Sequence, residues 1–283
     1  MEGCFLMIHF ILDSTSGISK DILDKYPQIH KLPLYMFVDG EYRDESEFTI
    51  DDVIEYSERE KKAIQTSQPS TGDYMKLFES IPQDDEIIII ALSVAVSGTY
   101  NGAVLAARQS GRKKIAVINS RSTAIGMIHL LRDGLEMVEQ GLPFEKVVEG
   151  LQDGASRIRT TFTMESIEYL RRGGRVGKAA GLIGSILKIR PVIYLTDEDE
   201  VDALAKVRTQ KKGIEAVVNY LHEQSPCKRI GVVHIKNLDV ANALRDRLSK
   251  EYPDIDITVS TGTPVLTCYL GPGLVGIIFE KAN

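Results

Sequence analysis

The chain has 283 residues, enough for one large α/β domain or two modest ones. Hydrophobic residues make up 43%, charged residues 26%, and the formal net charge is -6, so nothing in the balance favours nucleic acid or an anionic membrane. The cysteines, Cys4, Cys227 and Cys268, are odd in number and widely spaced, which excludes a disulfide framework and a C-x-x-C zinc or redox site; a reducing, cytoplasmic setting is the simplest expectation.

The apolar opening, Gly3 to Leu12, has no basic region before it and no small-residue cleavage site after it. It ends at Asp13 after a strand's length, and residues 5–12 read as a strand rather than a signal peptide. Asp13-Ser14-Thr15-Ser16 is expected to cap a helix near Ile18 to Lys25. Leu32 to Val38 reads as a second strand, and Asp39-Gly40 is a hairpin signal. Thr49, with Asp52 three residues on, opens a charged helix to about Lys62. Thr66 to Ser70 reads as a polar loop before a helix over Gly72 to Ser80. The run Ile87 to Ala91 is continuously apolar, as in a strand buried on both faces. Lys114 to Ile118 is another strand, and the hydroxyl-rich turn Asn119 to Thr123 follows it. A long helix then ends at Gln140, with Gly141 past its C-terminus and Pro143 preventing continuation. A further helix covers Phe144 to about Ala155.

The second half changes character. Arg157 to Met164 alternates and is rich in Thr, a strand pattern. Ser166 to Arg171 is a short helix, and Ala179 to Leu187 reads as an apolar helix with Gly181 and Gly184 inside it. Strands at Ile189–Thr196 and Val201–Val207 flank an acidic turn. Helices at Lys211–Glu223 and Val240–Lys250 alternate with strands at Arg229–Ile235 and Ile255–Val259, and Leu274 to Phe279 closes the chain. The alternation predicts an α/β fold: a mostly parallel N-terminal sheet with flanking helices over residues 1–156, and a C-terminal α/β domain with a mixed sheet over 157–283.

The loop Leu92 to Asn101 organises the chemistry. A buried strand precedes it and a small-residue helix follows, so Ser97, Thr99 and free backbone amides point to one spot at a strand's carboxyl end. Gly98 permits a close approach of the main chain. Ser97 or Thr99 as a plain helix cap is the competing reading. Hydroxyls recur at other strand ends: Ser14 and Thr15, Thr66 and Ser67, Ser93, Ser120 and Ser122. If they converge, neutral donors and amides suit a carboxylate or phosphate ester rather than a divalent metal, which wants several carboxylates. Ordinary turn chemistry explains each cluster singly, and fits Ser14 and Ser122 well. There is no Walker-type loop, no Gly-x-Gly-x-x-Gly and no nucleophile elbow. The five histidines show no metal spacing, and no general base stands beside a Ser. Arg171, Arg172 and Arg175 around Gly173-Gly174 form the one concentrated cationic feature, readable as an anion site or as a helix C-terminus. The glycines of the 179–187 helix fit either a slender apolar tunnel wall or tight helix packing.

Five motifs together resemble the DegV family: Thr66-Ser67-Gln68-Pro69-Ser70; Leu92-Ser93 through Ser97-Gly98-Thr99-Tyr100-Asn101; Tyr169-Leu170-Arg171-Arg172-Gly173-Gly174-Arg175; Ile189-Arg190-Pro191; and Gly271-Pro272-Gly273. Asp13-Ser14-Thr15 also matches, and the motifs fall in the family's order over nearly the whole chain. The resemblance implies two α/β domains holding a long-chain fatty acid between them, and a carrier rather than a catalyst. It implies that Thr66 and Ser97 bind the carboxylate, with Gly98 and Thr99 beside them, and that Arg175 lies near the head group or at a kinase-facing rim. Many members carry His two residues before Gly-Pro-Gly; here the residue is Tyr269, which can donate a hydrogen bond but carries no positive charge near pH 7. Asn119 stands where Asp is common, and Arg190 where Lys is common. The implied partners are a long-chain fatty acid, a separate fatty acid kinase and, transiently, a membrane, with no nucleic acid, cofactor or metal. A chain of roughly sixteen carbons gains on the order of 10 kcal/mol on burial at about 0.8 kcal/mol per methylene, so the tail dominates affinity and a few hydroxyls fix orientation. Two other readings stay open: an enzyme on a small phosphorylated or carboxylated metabolite with Ser97 at its active site, and a carrier of some other amphiphile.

Overall fold

The computed structural model describes residues 6–182 and 189–282. In the first half, β1 (Ile8–Asp13), α1 (Lys20–Lys25), β2 (Ile29–Leu32), β3 (Tyr35–Val38), β4 (Glu41–Asp44), α2 (Ile50–Glu60), β5 (Gln65–Ser67), α3 (Thr71–Ser80), β6 (Glu86–Ala91), α4 (Thr99–Gln109), β7 (Ile115–Asn119), α5 (Ile125–Glu139) and α6 (Phe144–Arg157) follow one another. In the second half come β8 (Ile158–Thr163), α7 (Glu168–Gly173), β9 (Arg190–Leu195), β10 (Val201–Val207), α8 (Gln210–Gln224), β11 (Cys227–His234), α9 (Leu238–Glu251), β12 (Thr258–Thr261), α10 (Pro264–Leu270) and β13 (Val275–Lys281).

Every residue of β1 and β6 is buried, as the unbroken apolar run Ile87–Ala91 predicts for β6; β1 also buries His9 and Asp13. They form the centre of a four-stranded parallel sheet in the order β2-β1-β6-β7. Because all four strands run the same way, the loops after Asp13, Leu32, Ala91 and Asn119 leave by one edge. A six-stranded sheet, β10-β9-β8-β13-β11-β12, is drawn wholly from residues after 157 and is mixed, with only β11 and β12 parallel. The largest apolar cluster joins the two sheets, running from Phe10 and Ile88 through Met127 and Leu130 of α5 to Ile193 and Ile278.

Several local expectations change. The stretch 32–38 is two strands, because Pro33 has no amide to extend a ladder; β2 stays with β1 while β3 joins β4 and β5 in a small antiparallel sheet. Asp39-Gly40 makes the β3–β4 hairpin, with φ of 54° and 91°. Thr66 and Ser67, expected in a loop, belong to β5, where Thr66 lies opposite Met36. Asp13 caps a 3-10 turn at Ser14–Ser16, and α1 is capped instead by Ser19. The capping box expected at Thr49 and Asp52 is present, and Ser70 with Asp73 makes another. Gly177–Leu182 is 3-10 rather than α. The remainder of the expected 179–187 helix, including Gly184, lies outside the described residues, as does Cys4.

Candidate ligand-binding site

The buried strand β6 delivers the chain to the loop 92–98, where Ser97 is half-buried. Its Oγ accepts from the Thr99 amide at 3.2 Å and lies 2.9 Å from Thr99 Oγ1. Thr99 is itself buried behind it. Gly98 takes the N-cap position of α4 with no side-chain cap. A Cβ there would lie 2.5 Å from Gln68 Oε1, so the close approach that Gly98 allows is by the Gln68 amide.

Thr66 on β5 meets Tyr269 on α10, with 2.5 Å between Thr66 Oγ1 and Tyr269 Oη. Arg175 follows the left-handed turn at Gly174 that ends α7. Its guanidinium sits 4.7 Å above the Tyr269 ring, donates from Nη1 to the Gly173 carbonyl at 2.8 Å and from Nε to the Val96 carbonyl at 3.3 Å. The Tyr269 ring occupies the space where a Cβ on Gly173 would stand. Burial pushes the Tyr269 phenol up from its ordinary pKa, against smaller downward pulls from Thr66 and Arg175, so it stays neutral. Arg171 and Arg172 are spent on Glu168, at 2.8 and 2.9 Å; the Arg171 hydrogen bond leads in drawing the Glu168 carboxyl down to about 2. Of the three arginines of the motif, only Arg175 reaches the interior.

Thr66, Ser97, Arg175 and Tyr269 line one cavity. The rest of its wall is mainly apolar and comes from both halves of the chain: Leu34, Leu92 and Val96 from the first, Phe162, Ile193, Leu195 and Leu266 among others from the second. Among the described residues, no carboxylate, imidazole, thiol or lysine lines it. Thr66, Arg175 and Tyr269 also border an open cleft with Lys61, Lys62 and Arg172, so these three side chains form the wall between the apolar interior and a basic exterior.

The strand-end hydroxyls divide. Thr15 and Ser122 line the cavity together with Thr66 and Ser97, so Ser122 is more than a turn residue. Ser14 is structural: it donates to Glu45 and accepts from the Leu34 amide at 2.9 Å. Ser67 donates to the Gln68 carbonyl, and Ser120 to the Ser122 carbonyl. Ser93 donates to Asp199 at 2.5 Å, and Asn119 Nδ2 reaches the other oxygen of that carboxylate at 2.6 Å. Asp199 thereby ties the β9–β10 turn to the edge of the parallel sheet. Gln68 falls within the Thr66–Ser70 motif and Asp199 within the acidic turn, but the contact each makes is distant in sequence and was not legible there. No histidine lines the cavity among the described residues. His9 pairs with His30 at 2.9 Å and Asp85 at 3.1 Å, near the amino ends of the sheet strands and away from the ligand edge.

Fold and cavity together define an α/β protein with an enclosed apolar space walled at one side by neutral hydroxyls and a single guanidinium. Residues 7–282 match the family model for DegV, described as an uncharacterised protein family. The chain belongs to the DegV family. It is 31% identical over 286 residues to a fatty acid-binding protein of Thermotoga maritima, covering 97% of this chain and 98% of that one. A fatty-acid-binding DegV family protein from Thermus thermophilus is 26% identical and superposes with a TM-score of 0.88, covering 98% of this chain and all of that one. The fatty-acid-binding DegV of Bacillus subtilis is 27% identical, with a TM-score of 0.84 and the same coverage.

Proposed function

We propose that this protein is a non-catalytic carrier that holds a long-chain fatty acid in the apolar cavity, with the carboxylate received by Ser97 and Thr66. The observation that carries this reading is the pairing of an apolar interior with a wall of neutral hydroxyls at the basic cleft. Tail burial supplies the affinity, and the Ser97, Thr66 and Tyr269 hydroxyls orient the head group, with Arg175 behind the Tyr269 ring. In this reading residues 1–156 and 157–283 are two lobes, and the cavity lies between them. A cavity wall without a general base supports the carrier reading over hydrolysis at Ser97.

The basic cleft outside Thr66 and Tyr269 leaves the carboxylate approachable, which supports presentation of the fatty acid to a separate kinase. The setting we propose is cytoplasmic; among the described residues no helix is long and apolar enough to cross a membrane. Displacement of a fluorescent fatty acid by palmitate or oleate tests the carrier reading. Saturable one-to-one displacement is expected, and it weakens when Ser97→Ala and Thr66→Val are combined. No displacement by either acid would contradict it.

A further inference from the structure

Helix α4 carries a glycine inside it. The Gly102 amide donates to the Gly98 carbonyl at 2.9 Å, an ordinary helical hydrogen bond, and the backbone there is right-handed, so nothing in the main chain asks for glycine. Alanine would suit the helix better. The space a side chain would need is taken by Gln68. A Cβ on Gly102 would lie 2.4 Å from Gln68 Nε2, and one on Gly98 would lie 2.5 Å from Gln68 Oε1. Gly98 and Gly102 stand one turn apart on the same face of α4, and the half-buried Gln68 carboxamide spans both.

Both sides of this contact belong to the cavity mouth. Gln68 comes two residues after Thr66, and Gly98 follows Ser97 directly. The connection from Thr66 to Gln68 has little slack. Thr66 and Ser67 are paired to β3, the buried Pro69 restricts Gln68 to extended backbone, and Ser70 caps α3. Ser97 is tied to α4 in turn, since its Oγ accepts from the Thr99 amide. Among the described residues no hydrogen bond joins Thr66 to Ser97. One route between them runs from Thr66 through Tyr269 and Arg175 to the Val96 carbonyl. The shorter route is the Gln68 seat.

We propose that Gln68 is a positioning residue for the head group: seated on Gly98 and Gly102, its carboxamide holds β5 against the start of α4 so that Thr66 and Ser97 converge on one carboxylate. This rests on the carrier reading and adds to it a residue that sets head-group specificity. Displacement of a fluorescent fatty acid by palmitate and by 1-hexadecanol, which has the same tail and no carboxylate, tests it in wild type, Gln68→Ala, Gly102→Ala and the double variant. Both single variants are expected to bind palmitate about tenfold more weakly, the scale of one hydrogen bond to a charged group, and hexadecanol within about twofold of wild type. In Gly102→Ala the thermal midpoint is expected to be no lower than in wild type, because alanine favours the helix. Loss of affinity without loss of stability separates positioning from a purely structural role. The double variant is expected to bind palmitate no more weakly than Gln68→Ala, since the added methyl group then has nothing to displace. The inference is overturned if either single variant keeps palmitate within about twofold of wild type, if palmitate and hexadecanol weaken together, or if the two substitutions add. The carrier reading survives each of those results. If palmitate does not displace the probe from wild type, the carrier reading fails and takes this inference with it.

Discussion

At the scale of single residues, the partition between interior and exterior depends on Tyr269, Thr66 and Arg175. The Tyr269 hydroxyl is held by Thr66, and its ring is covered by Arg175. A charge at this wall is thus supplied by Arg175 from behind the ring, not by residue 269 itself. Removal of the Ser97 hydroxyl by Ser97→Ala is expected to weaken palmitate binding about tenfold without abolishing it, because one hydrogen bond to a charged group is worth about 1.5–3 kcal/mol against a much larger tail contribution. Calorimetric affinities of wild type and variant check this, and a complete loss of binding would show that Ser97 matters for more than orientation. Tyr269→Phe leaves the half-buried Thr66 hydroxyl without its partner; a loss of about 0.5–1.5 kcal/mol in unfolding free energy is expected from urea denaturation of the ligand-free protein.

At the scale of elements, the mouth depends on how α7 and α10 meet. Gly173 gives the Tyr269 ring its place, so Gly173→Ala must displace the ring and disrupt both the Thr66 hydrogen bond and the Arg175 stack. About 1–3 kcal/mol of destabilisation is expected, together with weakened fatty acid binding, by denaturant unfolding and displacement assay. The motif Tyr169 to Arg175 was legible in the sequence, yet the reason for its first glycine was not, because that reason is a ring on α10, far along the chain. The same contrast runs through the fold. The strand β6 announces itself by a continuous apolar run and β1 by a mostly apolar one, and the Thr49–Asp52 capping box is contained within four residues. β5 is short, polar and paired to β3, so nothing local in Gln65–Ser67 marks a strand. The Asp199 tie is equally hidden. Asp199→Ala is expected to cost about 1–3 kcal/mol, since Ser93 and Asn119 both lose their acceptor; urea midpoints measure it. Hydroxyls at Ser97 and Thr66 stood out by motif, whereas Thr160, which also lines the cavity, sat unnoticed in a Thr-rich strand whose composition already fits β structure.

At the scale of the whole molecule, the two sheets meet across α5, and a histidine is buried at that junction. Burial first, then the charges of Arg229, Arg132 and Lys228, pushes His129 down from its ordinary pKa to about 3. The unfolded chain therefore binds a proton there between about pH 6.5 and pH 3 that the folded protein does not. Stability from this group is full above pH 6.5 and is lost as pH falls toward 3, by about 2 kcal/mol at pH 5. His129→Gln should flatten the fall in unfolding free energy between pH 7 and pH 5, whatever its effect at neutral pH. An unchanged slope would place the acid sensitivity elsewhere.

A cavity walled from both halves of the chain and edged by uncharged hydroxyls exists, on this account, to enclose an amphiphile. Native mass spectrometry of the protein purified without detergent addresses that most directly. The expected spectrum shows the chain plus the mass of one long-chain fatty acid, which is lost on delipidation and regained on adding palmitate or oleate. A spectrum of the bare chain alone, unchanged by either acid, would contradict the account.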